Sequence, residues 1–154
     1  MEESNGIVRK ESKLDKIQNL EKQLQITIEK LNISMKWLEL NQKNKSIIQT
    51  LRYKGIKRII IYGASEFALR FLYEAIQEKF EIIGISDKKI VSGGNEYKDI
   101  PLKSIEELCN TEQFEEWIVI TAMGFYEDIK RELNSKGFYN LISLKELVWD
   151  TYTY

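Results

Sequence analysis

Between Ile7 and Leu38 the apolar residues return at alternating steps of three and four: Leu14, Ile17, Leu24, Ile28, Leu31, Met35 and Leu38, with Glu21 at the one interrupted place. This is a heptad pattern in which Leu14, Glu21, Ile28 and Met35 take position a, and Ile17, Leu24, Leu31 and Leu38 take position d. Neither proline nor glycine breaks the stretch after Ile7, so a long amphipathic helix over about residues 7–40 is expected. A helix of that length cannot bury its stripe on itself. It must pack on its own globule, on a second copy or on a foreign helix, and homo-oligomerisation through residues 7–38 is the preferred reading. Gln18, Gln25, Asn32, Leu20, Thr27 and Ser34 leave most e and g positions uncharged, so register is weakly specified. Glu21 would meet its own copy in an aligned parallel dimer, which disfavours that arrangement and leaves antiparallel or higher-order packing open.

A joint near Asn41 to Asn44 separates this helix from a shorter one, at about residues 44–54. There Ile47, Ile48, Leu51 and Tyr53 form an apolar face, and Gly55 stands where a helix stops. Together these make a helical arm over residues 1–55.

From residue 56 to 154 the period changes. Lys57–Gly63 reads as a strand covered on both faces, because a short continuous apolar run ends in a glycine. A helix through Phe67, Leu72 and Ile76 follows, then a second apolar strand from Glu81 to Asp87, which completes a βαβ unit. The polar segment 88–99, with Gly93-Gly94, suggests a mobile loop or small hairpin, and Pro101 a short extended edge piece. Ser104 and Glu107 resemble a capping box opening a helix. Trp117–Thr121 is a third strong strand, Tyr126–Lys136 a helix stopped by Gly137, and Tyr139–Ile142 a last strand leading into Leu144–Trp149. Strands alternating with helices predict an α/β fold: a Rossmann-like, doubly wound parallel sheet of about four to five strands, preceded by the long arm.

Composition narrows the chemistry. The 154-residue chain is 43% hydrophobic, enough for one cored domain plus an appendage. Its formal net charge of −1 gives no electrostatic footprint for nucleic acid, and no stretch is apolar enough to span a bilayer. Residues 1–55 carry 11 Lys/Arg against 7 Asp/Glu and residues 56–154 carry 12 against 17, so a mildly basic arm joins a mildly acidic globule. Cys109 is the only cysteine, which excludes an internal disulfide and a cysteine-built metal cage. With no apolar leader near the N-terminus, a cytoplasmic location is expected. The chain has no histidine, so the commonest general base and zinc ligand are both missing. Chemistry would have to use carboxylates, lysine, tyrosine or a bound cofactor, and the sequence leans away from an enzyme.

The first strand ends in Gly63-Ala64-Ser65-Glu66-Phe67-Ala68, in register with the dinucleotide fingerprint G-x-G-x-x-G/A. Gly63 makes the tight turn and Ala68 allows close helix packing. Ser65 stands in place of the second glycine, where it can either donate to a phosphate or act as the helix N-cap. Asp87, 24 residues after Gly63 at the end of the second strand, is where an acid holds ribose hydroxyls; a turn cap is the other reading. Thr121, with Ala122 and Met123, follows the third strong strand and is expected to line the same crevice. The cofactor-binding set is therefore Gly63, Ala64, Ser65, Phe67, Ala68, Asp87 and Thr121, and the ligand a nucleotide-type molecule, NAD(P) or a nucleotide-sugar, between which the residues do not choose. Tyr126 and Lys130 have the Tyr-x-x-x-Lys spacing of short-chain dehydrogenases, but too little chain follows to build a substrate region, and the spacing is read as coincidence.

The succession Ile59–Ala64, Ile82–Asp87, Ile100–Leu108, Val119–Thr121 and Ile142–Leu144 resembles small Rossmann-like domains in bacterial surface-polysaccharide proteins. These are similar to the N-terminal nucleotide- or nucleotide-sugar-binding domains of sugar acetyltransferases and sugar-nucleotide dehydratases. The resemblance implies an accessory nucleotide- or nucleotide-sugar-binding module in glycan metabolism, with its ligand near Gly63, Ser65 and Asp87. The transferase or dehydratase portion is not in this sequence. Two other functions stay open: an interaction protein with a vestigial crevice, and a small enzyme dependent on NAD(P) or a nucleotide-sugar.

Overall fold

The computed structural model describes the backbone of residues 2–91 and 94–153, and side chains from Ser12 onward. The side chain of Ile7 and the loop residue Gly93 lie outside the described residues. Helix α1 spans Glu2–Gln42 and α2 spans Ile47–Tyr53. Ser46 caps α2 by accepting from the Ile48 amide, and Gly55 at φ +77 lets the chain leave it. Next come β1 (Arg58–Tyr62), α3 (Glu66–Gln77) and β2 (Glu81–Ser86). The polar segment is a small hairpin of β3 (Glu96–Tyr97) and β4 (Ile100–Pro101), turning through Lys98 and Asp99, both at positive φ. The chain then forms α4 (Ile105–Asn110), β5 (Trp117–Ile120), α5 (Tyr126–Ser135), β6 (Leu141–Ser143) and α6 (Leu144–Thr153). Ser104 opens α4 by accepting from the Glu107 amide, one half of the capping box that the spacing predicts, while Glu107 Oε1 is buried without a hydrogen-bond partner among the described residues.

The four long strands pair in parallel in the order β2-β1-β5-β6, a Rossmann-like arrangement. Side chains of β1 alternate between the two faces of this sheet. Ile59 and Ile61 point into a core shared with α1, α2, α3 and α6, whereas Ile60 and Tyr62 point into one built by α4 and α5. Helices therefore cover both faces, which is why the strands read as unbroken apolar runs. The first core runs across residue 55 without a break: Ile33, Trp37 and Leu40 of α1 and Ile47, Ile48 and Leu51 of α2 are buried with Ile59, Phe71 and Leu147.

Helix α1 carries two apolar stripes. In the heptad register, Ile26, Ile33 and Leu40 are all position f, opposite the a/d seam, and Trp37 lies beside them at c. This second stripe meets the globule: Ile33, Trp37 and Leu40 are buried and Ile26 packs against the same core. Docking of α1 on its own globule thus uses a face that the heptads do not mark. Leu14, Ile17, Leu24, Ile28, Leu31, Met35 and Leu38, the apolar members of the seam, are between 49% and 60% exposed, with Leu20 at 64% beside them.

The docked half is fixed by directional bonds. Glu74 of α3 is buried, and its carboxylate accepts from Trp37 Nε1 (2.6 Å), Ser46 Oγ (2.8 Å) and the Ile47 amide (3.2 Å). One acid therefore ties α3 to both arm helices, and three donors compensate its burial. Glu29 pairs with Lys145 at 2.9 Å, and the Lys22 ammonium lies over the Phe125 ring. Residues 12–25, by contrast, are exposed throughout.

Candidate functional site

In the sheet order, β1 has β2 on one side and β5 on the other, so the direction of winding reverses between β1 and β5. Open parallel sheets bind ligands beyond the C-terminal strand ends at such a reversal. The loops there are 63–65 and 121–125. Gly63 sits at φ +116, and a Cβ on it would lie 2.6 Å from Thr121 Oγ1. Glycine is thus required at this position by conformation and by space together.

The structure brings Asp87 to the Gly63 loop, as the sequence placed it, but turns its carboxylate back onto the turn. Asp87 Oδ2 accepts from the Ala64 amide at 2.7 Å and Oδ1 from the Lys89 amide at 3.0 Å. The amide that a phosphate would use in a dinucleotide turn already holds an anionic group. Asp87 retains lone pairs for further hydrogen-bond donors. Ser65 occupies the N-cap position of α3 with extended backbone, yet its side chain makes no capping bond. Glu66, in the first turn of α3, adds a second negative charge. Phe67 is half-buried against the core and Ala68 is buried under the helix, where its small side chain permits close packing.

Thr121 departs from the expectation that it lines the crevice. It is fully buried, and its hydroxyl donates towards the Tyr62 carbonyl (3.1 Å) and the Gly63 carbonyl (3.2 Å), clasping the two loops together. Its neighbours Ala122 and Met123 line a cleft of about 310 Å³ beyond the ends of β5 and β6, with Phe125, Tyr126, Lys145 and, from the arm, Glu29. The participation of α1 in this cleft was not legible in the heptads, since Glu29 reads as a solvated residue on the helix flank. At Gly124 (φ +82) a Cβ would collide with Ile26, so the arm approaches the β5 loop as closely as a glycine permits.

Burial, with Glu132 and Asp87 nearby, pushes the Tyr62 hydroxyl up to about 12. Burial also raises Tyr126, reinforced by Glu146 and Glu127, although the Lys130 ammonium lies over its ring at 5.9 Å. Among the described residues no group of acids and cysteine could hold a metal ion, and no helix is long and apolar enough to cross a membrane. No family model, curated protein or solved structure matches the chain.

Proposed function

We propose that this protein is a self-associating accessory module, in which a Rossmann-like domain presents a hydroxyl-recognising crevice and the α1 seam joins copies together. The observation that carries the proposal is that the apolar heptad seam stays half-exposed from Leu14 to Leu38 on a helix already docked to the globule by its opposite face. Eight half-exposed aliphatic side chains, at about 100 Å² each, offer roughly 800 Å² per copy, the scale of a standard interface. Residues 12–25 of α1 bury no side chain on the globule and touch it through Lys22 over the Phe125 ring, and an isolated helix of that length is marginal in water. A second copy of the same stripe covers both deficits.

For the crevice, Asp87 supports a ligand that donates hydroxyls, the ribose or sugar part of a nucleotide or nucleotide-sugar, within glycan metabolism. The alternative of an interaction module with a vestigial crevice draws support from the Asp87 to Ala64 bond and the Thr121 clasp, both of which fill the turn from within.

Deleting the arm would also strip Ile33, Trp37 and Leu40 from the core, so the assembly is tested by substitution within the seam. Light scattering on Leu24→Glu/Leu31→Glu is expected to give a folded monomer where the unaltered chain gives a multimer, with monomer stability changed by under about 0.5 kcal/mol, as for surface sites. The same mass for both chains would refute the proposal. For the ligand, a thermal-shift panel of NAD, NADP, UDP-sugars and acetyl-CoA is expected to show stabilisation by one nucleotide-type compound, about 2.7 kcal/mol at 100 times its Kd, lost in Asp87→Ala. Silence across the panel favours the interaction module.

A further inference from the structure

We infer that the seam pairs two copies of α1 antiparallel, about a two-fold axis that crosses the seam between Leu24 and Ile28, level with Ile26 on the opposite face. This rests on the proposed self-association and specifies its geometry. With the axis there, residue numbers in facing layers add to a constant: Leu14 meets Leu38, Ile17 meets Met35, Glu21 meets Leu31 and Leu24 meets Ile28 of the second copy. Each a position faces a d position, and the stripe covers itself from end to end.

Glu21 separates the two orientations. A parallel pair in register puts both Glu21 carboxylates into one layer of the seam, two like charges leaving water together. The antiparallel pair places each against Leu31 of the other copy. The two acids then stand ten residues apart along the axis, about 15 Å, beyond the physiological Debye length of about 8 Å. Antiparallel macrodipoles add a favourable term of the same kind.

The division of α1 into a docked and a free half points the same way. In the antiparallel pair the exposed half of each helix lies along the docked half of the other, which Glu74 and Lys145 already hold in place. The free half therefore orders on a rigid template, which lowers the entropic cost of association. In a parallel pair the two unsupported halves would have only each other. The core contacts of each globule are made on the f-position face of its own helix, opposite the seam. Along the docked half, Trp149 of α6 extends the seam sideways, forming a groove with Asn32, Met35 and Leu38.

Disulfide trapping in the full chain tests this. Leu14→Cys and Leu38→Cys proteins are mixed, equilibrated and oxidised gently, and the linked peptides are mapped by mass spectrometry so that Cys109 is accounted for. The expected product is a 14-to-38 cross-link between copies, with little 14-to-14 product, because in this arrangement the two copies of position 14 lie about 36 Å apart. A dominant 14-to-14 cross-link, with no 14-to-38 product, would overturn the orientation while leaving self-association standing. Sedimentation of the unaltered chain as a monomer at all concentrations would overturn both.

Discussion

The two faces of α1 both carry apolar stripes and yet are used differently. The face at Ile26, Ile33, Trp37 and Leu40 is closed on the globule, and its position is dictated by directional contacts: the Trp37 indole on Glu74, Glu29 on Lys145, and Ile26 against a glycine. The opposite face, from Leu14 to Leu38, is aliphatic and exposed, interrupted only by Glu21. One is a singular fit and the other a repeat. A singular fit selects one partner surface, its own globule, while a repeat suits any surface with the same period, of which a second copy is the nearest example.

The contrast can be broken from the docked side. Trp37→Ala removes a large core side chain and one of the three donors to a buried carboxylate, and is expected to cost about 3–5 kcal/mol in urea unfolding, with detachment of the arm. If the loss is instead below about 1 kcal/mol, the fit is not specific. Gly124→Ala is expected to cost about 1–3 kcal/mol through the collision with Ile26 and the positive φ, and adding Ile26→Ala should restore only the part due to the collision. Full restoration would mean that the backbone at residue 124 carries no strain.

Much of the globule was legible in the sequence because doubly covered strands leave a plain signal: the apolar runs ending at Gly63, Asp87 and Thr121 each mark a strand. The loop between Asp87 and Pro101 could be read as a hairpin, although its type depended on Lys98 and Asp99 both adopting positive φ, which no apolar period reports. The docked face of α1 was hidden for a different reason. Ile26, Ile33 and Leu40 are spaced seven apart, with Trp37 between the last two, and they fall between the members of a stronger pattern. Glu74 was hidden because an acid in a helix ordinarily reads as solvated; the available signal was its place between Phe71, Leu72 and Ala75 on the apolar arc of α3. At the site, chain position located Asp87 correctly near the glycine turn. Only coordinates reveal that its carboxylate folds back to the Ala64 amide, since that is a matter of rotamer and loop path. Thr121 likewise sits at the right strand end, but burial turned it from a lining residue into a clasp.

If a second copy holds the free half of α1, amide hydrogen exchange across a protein-concentration series will show it. Backbone amides of residues 26–42 should be protected at every concentration, because the globule holds that half. Those of residues 12–25 should pass from rapid exchange at high dilution to protection at high concentration, following mass action for association. Rapid exchange in residues 12–25 that does not change with concentration would mean that no second copy holds this half of the helix.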